Sequence, residues 1–202
     1  EAMNSEFTSP NCMILLRTGL RRRPLGLNES EFHLLNGRVN MITKRPVRLQ
    51  TLSMLDLQAR TVLWDIGSCT GSVSIEAKSV YPDLDVVAFE RRPEGEELLR
   101  ANSVRWGIPG IRFVGGDFME LPLADLPRPD AVFIGGHGGR LSELLKRVDE
   151  VLLPGGVIVF NSVSEDSLQQ FYEGIAQVGR QVTERIRLVV DAHNPIEILK
   201  AE

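Results

Sequence analysis

The chain predicts a doubly wound α/β domain, a mostly parallel seven-stranded sheet with helices on both faces and an antiparallel hairpin at its end. Three observations predict it. From Thr61 onward, short apolar runs alternate with helix-like patterns, the signature of a parallel sheet with crossover helices. The first apolar run, Val62-Leu63-Trp64-Asp65-Ile66, opens into the glycine turn Gly67-Ser68-Cys69-Thr70-Gly71-Ser72, and a helical pattern follows. Two long strand-like runs, 181–191 and 195–200, finish the chain with Ala192-His193-Asn194 between them, as in a hairpin.

The 202 residues suit one domain with an appendage. A hydrophobic share of 43% and a charged share of 25% are ordinary for a globular protein. The net charge of -4 argues against a protein held to nucleic acid by bulk charge. Cys12 and Cys69 are the only cysteines and lie far apart, so neither a disulfide framework nor a metal site is expected. A reducing cytoplasm is the default compartment. No apolar run approaches the roughly 20 residues of a membrane span, and no signal-peptide pattern opens the chain.

In order, residues 1–10 are polar and without period. Cys12-Met13-Ile14-Leu15-Leu16 reads as a short strand, and Arg17, Arg21, Arg22 and Arg23 follow it. The plain reading of these arginines is a solvated linker; the sharper one is a patch for an anionic ligand or a neighbouring domain. Asn28-Glu29-Ser30-Glu31-Phe32 opens one helical turn. The domain organisation expected is therefore a tail and linker over 1–40 and a folded domain over 41–202. A helix over 44–57 has Thr43 as its cap and Pro46 in its first turn. Its apolar face is Val47, Leu49, Leu52, Leu55 and Leu57. Strands are expected at 61–66, 85–90, 111–114, 131–134 and 157–160. Helices are expected at 72–81, 93–106, 141–152 and 165–178. Pro93 suits a first helical turn and Gly107 a helix end. Residues 121–129 form a proline-rich connection, and Gly135-Gly136-His137-Gly138-Gly139 follows the fourth strand.

Ligands of such sheets bind at the carboxyl ends of the strands. Three features should meet there. Gly67 and Gly71 permit a tight bend and close approach of a ligand, although a tight strand–helix joint needs no more than that. Glu90 ends the second strand about 20 residues on, where a carboxylate can accept from ribose hydroxyls; otherwise it is a solvated acid. Asp117 and Phe118 follow the third strand, an acid for an adenine amino group and an aromatic for its ring; the alternative is a capped loop. The glycines sit four apart behind an acid, unlike GxGxxG, and no GxxxxGK[ST] is present.

This corner resembles that of class I S-adenosylmethionine-dependent methyltransferases, whose Rossmann-like sheet also ends in an antiparallel hairpin. The resemblance covers residues 61–200. It implies S-adenosylmethionine as cofactor, held by Thr43, Asp65, Gly67, Ser68, Cys69, Thr70, Gly71, Glu90, Arg91, Asp117 and Phe118. Cys69 departs from the pattern, since it replaces the middle glycine of G-x-G-x-G and should narrow the turn. Nothing beside it in sequence would activate a thiolate.

A narrower resemblance rests on Ile42-Thr43-Lys44-Arg45-Pro46-Val47-Arg48, DIGSCTGSVSIEA, Phe133-Ile134-Gly135-Gly136-His137-Gly138-Gly139, LLPGGVIVFNSV and Asn194-Pro195-Ile196, in that order. These segments are similar to those of the decarboxylating precorrin methyltransferases of cobalamin biosynthesis. The resemblance implies C-methylation of a precorrin, a tetrapyrrole, with loss of carbon dioxide from the ring C acetate. It implies Lys44, Arg45, Arg48, Gly136, His137 and Gly138 as substrate contacts, His137 as the catalytic candidate for positioning or protonation, and no metal. It further implies a homo-oligomer, a tetramer among free enzymes, and a preceding tetrapyrrole methylase domain of which 12–16 would be the last strand. Nucleic acid and membrane are not expected partners. Two rival readings share the corner: a tRNA base methyltransferase, and a non-catalytic domain that binds a nucleoside.

Overall fold

The computed structural model describes Cys12, Ile14, residues 24–190 and residues 195–202. Apart from Cys12 and Ile14, the expected strand at 12–16 and the four arginines lie outside the described residues. So do the end of the 181–191 run and the hairpin tip Ala192-His193-Asn194.

The sheet has seven strands: β1 (Val62–Ile66), β2 (Asp85–Glu90), β3 (Ile111–Gly115), β4 (Ala131–Ile134), β5 (Val157–Ser162), β6 (Val182–Leu188) and β7 (Ile196–Ala201). Their order is β3-β2-β1-β4-β5-β7-β6. β1 to β5 pair in parallel. Only β7 runs against both its neighbours, as the expected hairpin requires. The helices are α1 (Arg45–Met54), α2 (Ser72–Val80), α3 (Gly95–Trp106), α4 (Leu141–Val151) and α5 (Glu165–Gln177). Expected and observed ends agree within a few residues. The widest differences are at α1, which stops at Met54 where the sequence predicts 57, and at β6, which stops at Leu188.

Alternate residues of each central strand feed opposite faces. Leu63, Val86, Ala131, Phe133, Val157 and Val159 pack under α1 and α2. Trp64, Ile66, Phe89, Val132, Ile134 and Phe160 pack under α4 and α5. The strands are buried on both faces, so they read as continuous apolar runs. The order reverses between β1 and β4, where the chain leaves β1 for β2 and later returns to β4. That switch point is where a crevice opens.

The segment expected as a linker is packed on the domain. Leu27, Phe32 and Ile42 are buried with Ile75, Leu99, Trp106 and Ile108. The segment forms two 3-10 turns, Glu29–Glu31, capped by the Asn28 side chain, and Leu35–Gly37. Two polar devices hold the segment. Asn102 of α3 accepts from His33 N (2.7 Å) and donates to His33 O and Thr70 O. Glu76 of α2 accepts from the Gly26 and Leu27 amides. Arg48 of α1 completes the second device. Its Nε is 2.6 Å from Glu76 Oε2, and its other nitrogens donate to Thr43 O (2.6 Å) and Leu27 O.

Arg48 and Glu76 are 0% and 1% exposed. Arg48 was expected to meet substrate; the structure corrects this, because burial against Glu76 uses its donors. The helix cap is corrected too. Lys44 is the N-cap residue of α1, with no side-chain cap bond, and Pro46 lies in its first turn.

Removing one partner of a buried ion pair strands the other charge. Arg48→Met should cost about 3–5 kcal/mol in denaturant unfolding. The double variant with Glu76→Gln should recover part of that loss, because Gln keeps an acceptor for the Leu27 amide.

Candidate active site

The crevice at the switch point has a volume of about 410 Å³. It is walled by the strap 40–44, the glycine turn after β1, the loops after β2 and β3, the glycine loop after β4, and residues of β5 and the terminal hairpin. The two glycine-bearing loops touch. A Cβ on Gly67 (φ +78°) would stand 2.8 Å from the Gly136 nitrogen, so only glycine fits there.

Asp65 is 1% exposed. Its Oδ2 accepts from the Ser74 hydroxyl (2.5 Å) and amide (3.2 Å), while Oδ1 is buried without a partner. Burial pushes its pKa up to about 6, against the lowering effect of Ser74 and with a further rise from Glu90. Ser68 Oγ and His137 Nδ1 are also buried without partners, and all three residues line the crevice. Unpaired buried polar atoms are costly, and three residues that line one crevice each carry one.

Glu90 is buried to 3%. Its Oε2 accepts from the Cys69 amide (3.0 Å), and its Oε1 from the Arg92 amide (2.9 Å) and guanidinium (3.1 Å). Arg92 Nη1 also reaches Oε2, at 3.3 Å, so the roughly four acceptor positions of the carboxylate are engaged, that bond being the longest. Cys69 itself sits at φ +48°, the left-handed region that glycine usually fills. Its thiol donates to Met41 O at 3.3 Å, tying the turn to the strap. Burial is the largest cause of a raised thiol pKa, with Glu90 adding to it, so Cys69 is a thiol and no nucleophile.

Asp117 is half-exposed and pairs with Arg140 Nη2, 3.1 Å from each carboxylate oxygen. The Met119 amide is the main cause that lowers its pKa, with Arg140 and Arg91 contributing. Phe118 is 6% exposed, with its ring edge-on to Trp64 and Phe89. It supports the floor from within the core. The His137 ring lies edge-on to Phe160, 6.0 Å between centroids. Burial lowers its pKa, partly opposed by Asp166, so the imidazole is neutral at neutral pH.

A model of the precorrin methyltransferase domain matches residues 37–200. The chain belongs to that family. It is similar to the cobalt-precorrin-6B C(15)-methyltransferase (decarboxylating) of Salmonella typhimurium, 35% identical over 155 residues, covering 77% of this chain and 79% of that one. It is also similar to the precorrin-6Y C(5,15)-methyltransferase (decarboxylating) of Sinorhizobium, 36% identical over 155 residues. That match covers 77% of this chain but 36% of the longer protein. The crystal structure of precorrin-6Y C5,15-methyltransferase from Geobacter metallireducens GS-15 is 37% identical, with a TM-score of 0.81, covering 90% of this chain and 99% of that one.

In this precorrin methyltransferase domain, the crevice gathers Thr43, Lys44, Asp65, Gly67, Ser68, Cys69, Thr70, Glu90, Arg91, Asp117, Phe118, Gly136, His137 and Gly138. Gly71 caps α2 from just outside. Arg45 is exposed on α1 and does not line the crevice, so the structure separates it, with Arg48, from Lys44. Sequence reasoning missed Met41, Arg92, Arg140, Asn161 and Val163, which also line it. Asn161 accepts from Thr51 Oγ1 of α1. Of these, Asn161 and Val163 lie in the LLPGGVIVFNSV segment and Arg140 directly follows the glycine loop, but none was singled out.

Asp65 gives a pH dependence. The folded state keeps its proton up to about pH 6, whereas the unfolded chain loses it near 3.8. The folded state thus binds more protons between those values, and stability falls as pH rises through that window, by on the order of 3 kcal/mol from this group. Urea unfolding from pH 4 to 7 should show that fall in the native protein and not in Asp65→Asn.

Proposed function

We propose that this chain catalyses S-adenosylmethionine-dependent C-methylation of a precorrin, with loss of the ring C acetate carboxyl as carbon dioxide, in cobalamin biosynthesis. The observation that carries the reading is one crevice uniting a nucleoside-suited corner with the Gly135–Gly139 loop, in a chain of the precorrin methyltransferase family. The names of its Salmonella and Sinorhizobium relatives supply the substrate class and the decarboxylation. We place the enzyme in the cytoplasm; among the described residues no helix is long and apolar enough to cross a membrane.

The residues present fit the cofactor. Glu90 is held by the Cys69 amide and by Arg92, and a ribose hydroxyl would take the place of the long Arg92 bond on Oε2, 3.3 Å. Asp117 offers an acceptor for an amino group. Asp65 Oδ1 and Ser68 Oγ are left for polar groups of the ligand. When bound, S-adenosylmethionine supplies an electrophilic methyl group on a sulfonium. This chain's residues then bind and orient. The strap at 40–44 covers one side and the glycine loop the other, which holds donor and acceptor carbon together. Backbone amides of the glycine loop suit carboxylates, as does Lys44 on the strap.

Decarboxylation breaks the bond between methylene and carboxyl; the electron pair passes into the conjugated macrocycle and a proton later returns to the methylene. His137 is the residue placed to act here. It is neutral at rest, so Nδ1 can accept a hydrogen bond. Its lowered pKa makes the imidazolium a minor form but a stronger acid.

The deciding experiment is mass spectrometry after incubation with a precorrin-6B substrate and S-adenosylmethionine. Gain of one methyl with loss of carbon dioxide is expected. Methyl transfer to tRNA alone, or cofactor binding without turnover on the precorrin, rejects the proposal. Glu90→Ala should weaken S-adenosylmethionine by roughly 10- to 100-fold in calorimetry, the worth of a charge-assisted hydrogen bond. An unchanged affinity removes the ribose assignment. His137→Ala should slow turnover far more than it weakens cofactor binding; equal losses would move His137 to the cofactor site.

A further inference from the structure

We propose that Arg140 is the specificity-determining contact for a carboxylate on the rim of the macrocycle, an inference that rests on the reading above. The cations expected for that task are mostly elsewhere. Arg48 is buried on Glu76, and Arg45 lies outside the crevice. Among the described residues, four cations line it: Lys44, Arg91, Arg92 and Arg140. Arg92 is committed to Glu90, and Lys44 Nζ donates to Val39 O at 3.0 Å.

Arg140 has capacity to spare. One nitrogen, Nη2, serves both oxygens of Asp117; Nε and Nη1 bond to no other described residue. The side chain is 41% exposed, open to a ligand. Arg91 lies beside the same acid, which it helps to keep ionised, and its Nη1 would be 3.1 Å from a Cβ on Gly138. One carboxylate thus faces two guanidiniums, and the corner keeps a positive surplus. The spare Nε–H and Nη1–H can each donate a charge-assisted bond to a carboxylate, and a two-bond fork would share Nη2 with Asp117.

The backbone fixes where this fork stands. Arg140 is the N-cap residue of α4, and its amide donates to His137 O at 3.1 Å. The cation therefore moves with the histidine and the glycine loop. Elsewhere the crevice is lined by Val163, Val190 and Ile196, and Val163 is 68% exposed. An apolar wall together with a fixed cation suits a flat apolar body with an anionic fringe. It does not suit the charged ribose-phosphate backbone of a nucleic acid as well, which would need cations along its length.

The test titrates the full chain and its Arg140→Gln and Arg140→Lys variants with an octacarboxylate porphyrin by fluorescence, and with S-adenosylmethionine by calorimetry. Arg140→Gln should weaken the porphyrin roughly 10- to 100-fold, with cofactor affinity held within about twofold. Arg140→Lys should recover part of the loss, since it keeps the charge and loses the fork. Asp117→Asn, which frees the guanidinium, should leave porphyrin binding as tight or tighter. Equal losses for both ligands would mean that Arg140 acts through Asp117, and would overturn the proposal, as would unchanged porphyrin affinity. If porphyrin binding depends on Arg140 but no precorrin is methylated, the carboxylate contact stands and the proposed reaction fails.

Discussion

The buried pair of Arg48 and Glu76 is the constraint on which the site depends. A guanidinium and a carboxylate removed from water are tolerable only when every donor and acceptor is used. Here that requirement recruits backbone from two places, the Gly26 and Leu27 amides with the Leu27 carbonyl, and the Thr43 carbonyl. The ion pair therefore fixes the backbone at Gly26 and Leu27 and the strap that walls the crevice. It joins α1 to α2, the helix that leaves the glycine turn. Stability and the shape of the crevice are set by the same few hydrogen bonds.

Cys69 extends that logic to the turn. A side chain at positive φ is costly where glycine is free, yet this one reaches across to Met41 O. The amide of the same residue holds Glu90. One residue thus ties the strap, the turn and the acid of β2 together. Asn102 does the like from below, through His33 and Thr70. Around this fixed frame stand the unsatisfied atoms of Asp65, Ser68 and His137, which are what a ligand would complete.

The sequence carried the sheet well because its strands are apolar on both faces and are bounded by glycine, proline or charge. The glycine turn, Glu90, Asp117 and the Gly135–Gly139 loop were legible for a related reason: each follows a recognisable strand, and strand ends meet in this topology. In the segment 24–40 the helical turn at 28–32 was legible, but the packing was not. Leu27, Phe32 and Leu35 have no regular spacing, and the segment is held by packing on Ile75, Leu99 and Trp106 and by hydrogen bonds with Glu76, Arg48 and Asn102, up to 69 positions away. Arg48 was misread for the same cause. A cation on an amphipathic helix looks solvated unless its partner on another helix is known. Arg140 went unseen because its acid lies 23 positions upstream.

The placement of β7 has a consequence for how the molecule assembles. β7 follows β6 in the chain but lies inside it, between β5 and β6. Until β7 docks, β6 has no hydrogen-bonding neighbour and β5 has an open side. The hairpin must therefore form before, or together with, closure of this half of the sheet. Thr183, Glu184, Arg185 and Arg187 are exposed on β6, and charged side chains discourage pairing with a foreign strand. The outermost strand of the sheet is thus guarded against association during the interval in which it waits for its partner.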